Sequence, residues 1–139
     1  MSYNRFDILE GKIVAKVFVS ANQDTLYAET DSGTYAFETY GDCCSETWFA
    51  DITGLHNLLG NRITATREIE MPNDGDIDDG RSRQEYDRIY GFRVETKEGY
   101  TDIIFRNSSN GYYGGWIEEA KSVNVKENLR EITEDNWQA

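Results

Sequence analysis

Proline occurs once in the 139 residues, at Pro72, histidine once, at His56, and cysteine only as the neighbours Cys43 and Cys44. A bridge between adjacent cysteines closes a strained ring and removes almost no chain entropy, so the chain has no useful internal cross-link. That absence points to a reducing, cytoplasmic setting. No apolar run approaches the roughly 20 residues of a membrane-spanning helix, and the N-terminus lacks the apolar stretch of a signal peptide. Neither a membrane nor an export route is therefore expected. Bases are scarce as well: 14 Lys and Arg stand against 26 Asp and Glu, a formal charge of −12. Such a charge repels a phosphate backbone, which argues against direct nucleic-acid binding. Residues 1–60 and 61–139 carry −6 each, so the acids do not form a tail. The charge serves solubility, or it makes a surface that imitates DNA or attracts a basic partner.

Aromatic residues, by contrast, are plentiful, with nine Tyr, six Phe and three Trp. Together with the length, they fit one β-rich domain, residues 1–139, with a real core. Residues 11–19 read as a β-branched first strand. Leu26 and Ala28, then Tyr35 and Phe37, alternate with polar neighbours on either side of Asp31-Ser32-Gly33, a hairpin signal. After Gly41 the pattern reads as helical over residues 45–59. Ser45 caps, Glu46 lies in the first turn, Trp48, Phe49 and Ile52 form the apolar face, and Gly54 and Gly60 stop it. A strand over 62–70 ends at Met71-Pro72, and residues 73–85 form an acidic, mobile loop. A second hairpin spans 90–106, Trp116-Ile117 and Val123 suggest a last strand, and 126–137 suggest a short amphipathic C-terminal helix. The expected fold is α+β: a twisted, mainly antiparallel sheet of six or seven strands with the 45–59 helix on one face.

The two hairpins resemble each other. Glu29-Thr30-x-x-Gly33 matches Glu95-Thr96-x-x-Gly99 at an offset of 66 residues, and inward positions fall on inward positions. Beyond each glycine comes a polar stretch, Gly41-Asp42-Cys43-Cys44 in one case and Asn107-Ser108-Ser109-Asn110 in the other. If the hairpins are equivalent, both stretches leave the same end of the sheet and can share a surface. The candidate binding residues are therefore Asp42, Cys43, Cys44, Ser45 and Trp48 with Asn107, Ser108, Ser109, Asn110, Tyr112 and Tyr113. Glycine-rich backbone, amide and hydroxyl groups and flat rings suit a base, a sugar or a protein surface. The second stretch lacks the lysine and helix start of a phosphate-cradling loop, so nucleotide hydrolysis is not expected.

Three further chemistries are readable. A thiolate at a helix start, with His56 as base, makes a cysteine-dependent enzyme conceivable, although no orienting group or oxyanion hole is evident. Zinc on Asp42, Cys43, Cys44 and His56 is disfavoured because adjacent side chains diverge. Asp74, Asp76, Asp78 and Glu85 occupy positions 1, 3, 5 and 12 of a calcium-loop spacing, but Gly80 falls one residue late for the sharp turn. No cofactor and no metal is expected, and Asp74, Asp76, Asp78 and Glu85 are only weak metal candidates.

The wording Gly-Asp-Cys-Cys-Ser-Glu-Thr-Trp-Phe at 41–49 and Phe-Arg-Asn-Ser-Ser-Asn-Gly-Tyr-Tyr-Gly-Gly at 105–115 resembles a family of small uncharacterised proteins. They are common in bacteriophage genomes and carry a domain of unknown function. The resemblance covers roughly residues 20–118 and implies a phage or prophage origin without bringing an activity. The expected function is thus non-enzymatic binding by a phage-encoded accessory or anti-defence protein, its partner a host protein. An acidic DNA mimic acting on a nucleic-acid enzyme, a protein sequestering a nucleotide-like small molecule, and a cysteine enzyme are the alternatives. A homo-oligomer is compatible with all of them.

Overall fold

A computed structural model describes residues 5–41, 45–70, 86–109, 115–121 and 129–133. Among these residues nine strands follow one another: β1 (Val14–Val19), β2 (Thr25–Thr30), β3 (Gly33–Gly41), β4 (Ser45–Thr53), β5 (Ile63–Ile69), β6 (Tyr86–Thr96), β7 (Gly99–Ser109), β8 (Gly115–Lys121) and β9 (Arg130–Ile132). They form two antiparallel sheets, ordered β8-β3-β2-β1-β9 and β4-β7-β6-β5. The inner faces share one core, to which the first sheet gives Val17, Leu26 and Phe37 and the second Phe49, Phe92 and Phe105. Phe6, in a 3-10 turn over Arg5–Leu9, is the wedge between them. Its ring stacks on Phe37 at 4.3 Å and meets Phe92 at 5.2 Å, and none of it is exposed.

The expected α+β architecture is corrected to an all-β one, since the described residues contain no helix beyond two short 3-10 turns. Residues 45–53 of the expected 45–59 helix form strand β4, and only Leu55–Asn57 is helical, as a 3-10 turn. The apolar run that looked helical is a strand buried on both faces: Phe49 and Ile52 enter the main core, while Trp48 and Ala50 join Ile89 and Ile104 on the other side. A doubly covered strand shows no polar alternation, so its sequence reads like a short buried helix. The expected C-terminal helix over 126–137 fails at Arg130–Ile132, which pairs with β1 as strand β9 and buries Ile132. Among the described residues there are nine strands rather than six or seven, and the 73–85 loop lies outside those residues.

The hairpin likeness extends to a repeat of four strands. Leu26 faces Phe37 and Ala28 faces Tyr35 in the first hairpin, as Phe92 faces Ile103 and Val94 faces Thr101 in the second. The turns close alike, with Thr30 opposite Gly33 and Thr96 opposite Gly99. Upstream, the same motif recurs at an offset of 49: Phe6-x-x-Leu9-x-Gly11-x-x-Val14 corresponds to Leu55-x-x-Leu58-x-Gly60-x-x-Ile63. Gly11 and Gly60 have φ of 84° and 78°, and the register slips at the same place, between Val14 and Lys16 and between Ile63 and Ala65. Ile13 and Arg62, themselves 49 residues apart, form a β-bridge to one another. The Gly11 N–H donates to the Ile63 carbonyl at 2.8 Å, and the Gly60 N–H donates to Val14 at 2.9 Å. Those reciprocal bonds place a pseudo-two-fold axis at this bridge. Each half donates its fourth strand to the other: β4 pairs with β7, and β8 with β3.

The halves differ at the outer edges of β1 and β5. Val17 and Val19 on β1 are covered by β9, whereas the matching Thr66 and Glu68 on β5 are polar. The Glu10 carboxylate instead accepts from the Thr66 N–H at 2.8 Å and from its hydroxyl at 3.0 Å. A capped, polar edge discourages pairing with another chain.

Candidate functional site

Strand exchange brings the ends of both polar stretches together. Gly41, where β3 ends, is opposite Gly115, where β8 begins; Ser45, where β4 begins, is opposite Ser109, where β7 ends. One step further in, Thr47 faces Asn107, and Tyr40 faces Trp116. The turn between β1 and β2 clamps the same end of the sheets. Gln23, at φ 65°, accepts the Phe49 N–H at 2.7 Å through its carbonyl and donates its side-chain amide to the Phe49 carbonyl at 2.8 Å. The Thr39 hydroxyl reaches the carbonyls of Asp24 and Thr47, each at 2.9 Å. The edge of β4 that faces away from β7 is thus tied to the opposite sheet.

Among the expected binding residues, Trp48 is 1% exposed and lies in the second apolar cluster. The Arg106 guanidinium carbon lies 5.4 Å from its ring centroid. A ring so buried supports the strand and has no face to offer. Asn107 is equally buried; its amide nitrogen donates to the Thr47 hydroxyl at 2.8 Å, and its Oδ1 has no hydrogen-bond partner. It braces β7 against β4 from within. Ser45, Ser108 and Ser109 lie on paired strands. Asp42, Cys43, Cys44, Asn110, Tyr112 and Tyr113 lie outside the described residues, as do Asp74, Asp76, Asp78 and Glu85.

Of the residues named for cysteine chemistry, only His56 lies among the described residues. His56 is exposed and follows β4, whereas Cys43 and Cys44 precede it. The nine strand residues Ser45–Thr53 span roughly 26–30 Å, so His56 follows the end of β4 remote from Ser45. Among the described residues, no group of three or more His, Cys, Asp or Glu side chains could hold a metal. The cavity lined by Phe6, Val17, Phe37 and Val94 is apolar and about 10 Å³, too small for an organic ligand.

Next to this end lies a surface whose residues are not among the expected binding residues. Glu38 and Tyr40 on β3 lie opposite Glu118 and Trp116 on β8, on the outward face of the five-stranded sheet. The Tyr40 ring, 41% exposed, stacks on Trp116 with centroids 6.2 Å apart and planes at 20°. Its hydroxyl donates to Glu38 Oε2 at 2.7 Å. That bond raises the Tyr40 pKa above the ordinary phenol value, helped by partial burial and by the negative charges of Glu38, Glu118 and Asp24. Alternation could have shown which residues face out, since Glu38 and Tyr40 flank the partly buried Thr39. The pairing of β3 with β8, some 80 residues apart, could not be read from that pattern.

The family described as a domain of unknown function (DUF7448) matches residues 7–118, and the chain belongs to it. An uncharacterized protein of Acanthamoeba polyphaga mimivirus is 35% identical over 96 residues, covering 67% of this chain and 72% of that protein. The chain is thus similar to a viral protein. No solved structure matches it. No helix among the described residues is long and apolar enough to cross a membrane.

Proposed function

We propose that this family member is a non-enzymatic binding protein of viral accessory type that engages a host protein, with residues 41–46 and 108–115 as the contact surface. The supporting observation is the pairing of the strand ends around the two polar stretches, Gly41 with Gly115 and Ser45 with Ser109. Trp48 and Asn107, both buried, act as struts beneath that surface. A bacteriophage origin, with action in the bacterial cytoplasm against a host defence, is the finer form of the proposal. The test is affinity purification from host cells with the natural chain and with Asp42→Ala combined with Asn110→Ala. The natural chain should retain a host protein that the folded variant loses. Equal retention by both chains would remove this surface from consideration.

The acidic DNA mimic is the second reading, supported by the net charge of −12 and by the facing carboxylates of Glu38 and Glu118. It requires a nucleic-acid enzyme as target, and its affinity should fall steeply with added salt.

A further inference from the structure

The four-stranded sheet shows how this protein treats aromatic rings on an outward sheet face. Tyr100, 50% exposed, is covered by the Arg93 guanidinium at 3.9 Å, which also forks onto Asp102 with nitrogen–oxygen distances of 2.8 and 3.0 Å. Trp48 is accompanied by Arg106. In both cases arginine meets the π face, and in the first a carboxylate meets the guanidinium edge. This is the geometry in which arginine exceeds lysine.

The pseudo-two-fold axis carries the Trp48–Arg106 pair onto Trp116 and Tyr40, because Trp48 faces Arg106 as Trp116 faces Tyr40. On this side the arginine is replaced by a tyrosine, and two carboxylates stand opposite each other at Glu38 and Glu118. Like charges directly opposed across strands are unfavourable. Among the described residues no cation forms an ion pair with either carboxylate or lies over the Tyr40 or Trp116 ring. Rings and acceptors are therefore assembled without the guanidinium that accompanies them on the other sheet.

We propose that the outward face formed by Glu38, Tyr40, Trp116 and Glu118 is a docking site for an arginine side chain of a partner polypeptide. The guanidinium lies against the exposed part of the Tyr40–Trp116 stack and donates to the two carboxylates. Its charge relieves their mutual repulsion, and the chain's overall negative charge draws the basic segment in. This deepens the binding reading by naming the partner's chemistry, yet uses residues other than those varied in its test, so either idea can fail alone.

The probe is the blocked peptide acetyl-Gly-Arg-Gly-Arg-Gly-amide, titrated into the full chain while the Trp116 indole resonance is followed by NMR. Its lysine and citrulline counterparts are run alongside. The arginine peptide should shift that resonance and bind about tenfold more tightly than the citrulline peptide, with lysine between them. Glu38→Gln with Glu118→Gln should weaken arginine binding about tenfold, as expected for loss of both charge-assisted acceptors. The charge-matched control, Glu29→Gln with Glu98→Gln, removes exposed carboxylates near the hairpin turns and should change binding less than about twofold, by screening alone. Tyr40→Ala, which keeps both carboxylates, should cost the arginine peptide more than the lysine peptide. Equal affinity for arginine and citrulline, or equal losses in the paired-glutamate variant and its control, would overturn the proposal. No binding of the arginine peptide by the folded chain would overturn it as well.

Discussion

Gly54→Ala is the substitution for which the structure gives the sharpest expectation. Gly54 joins β4 to the 3-10 turn at φ 74°, and a Cβ there would lie 2.6 Å from the Tyr100 carbonyl oxygen. That oxygen cannot retreat freely, because it accepts the Asn57 side-chain amide at 2.9 Å. The Gly54 carbonyl is held too, accepting the hydroxyl of the fully buried Thr101 at 2.7 Å. A left-handed alanine costs about 1 kcal/mol in backbone conformation. Displacing the strand far enough to seat the methyl disturbs the Thr101 bond, whose loss in a buried place adds about 1–3 kcal/mol. The expected destabilisation is therefore about 2–4 kcal/mol in sum. Gly60→Ala is the matched control: φ is 78° and nothing lies within 4 Å of its Cβ position, so only the cost of about 1 kcal/mol applies. The restriction that alanine places on the unfolded chain is common to both and cancels in the comparison. Urea unfolding followed by far-ultraviolet ellipticity measures the difference. A Gly54→Ala chain within about 1 kcal/mol of Gly60→Ala would refute the close approach to Tyr100 on which the reasoning rests.

Phe6→Ala should cost about 3–5 kcal/mol in the same assay, because it removes the wedge that contacts both sheets. Glu10→Ala should cost about 1 kcal/mol or less and uncap the Thr66 backbone on β5, seen as more concentration-dependent association than the natural chain shows in sedimentation velocity. A variant that associates no more than the natural chain would show that the Glu10 cap is not what protects this edge. Tyr40 should ionise above an ordinary tyrosine in a phenolate absorbance titration, and Glu38→Gln should lower its pKa. The sign follows from the raised value in the folded chain: the contribution to stability is full below about pH 10 and is lost as pH rises through the folded pKa.

Local chemistry made the hairpins legible. Thr30 and Thr96 precede two-residue turns, Gly33 and Gly99 follow them with φ of 121° and 139°, and the alternating Leu26, Ala28, Phe92 and Val94 fix which face is inward. The companion half of each repeat is hidden in the sequence because its offset is 49 rather than 66; the connection from β5 to β6 is longer than that from β1 to β2. Phe6-x-x-Leu9-x-Gly11 and Leu55-x-x-Leu58-x-Gly60 look alike only when the sequence is allowed to slip. The error at 45–59 has a similar origin, since Ser45, Glu46 and Trp48 satisfy a helix start locally. Whether Trp48 and Phe49 point to one side or to opposite sides depends on neighbours far along the chain.

At the candidate site, the sequence indicated that two polar stretches follow equivalent hairpins, and their flanking strands do meet. It could not indicate that Trp48 and Asn107 are interior struts, because burial depends on which strands lie above and below them. Nor could it connect Glu38 with Glu118. The sequence by itself determined the acidity, the two hairpins and their inward residues, all properties of composition or of a few neighbouring positions. Tertiary structure alone decided the exchange of β4 and β8 between halves, the burial of Trp48, and the opposition of two carboxylates beside an exposed aromatic stack. Those arise from pairing between distant strands, where register depends on the core as a whole rather than on any local pattern.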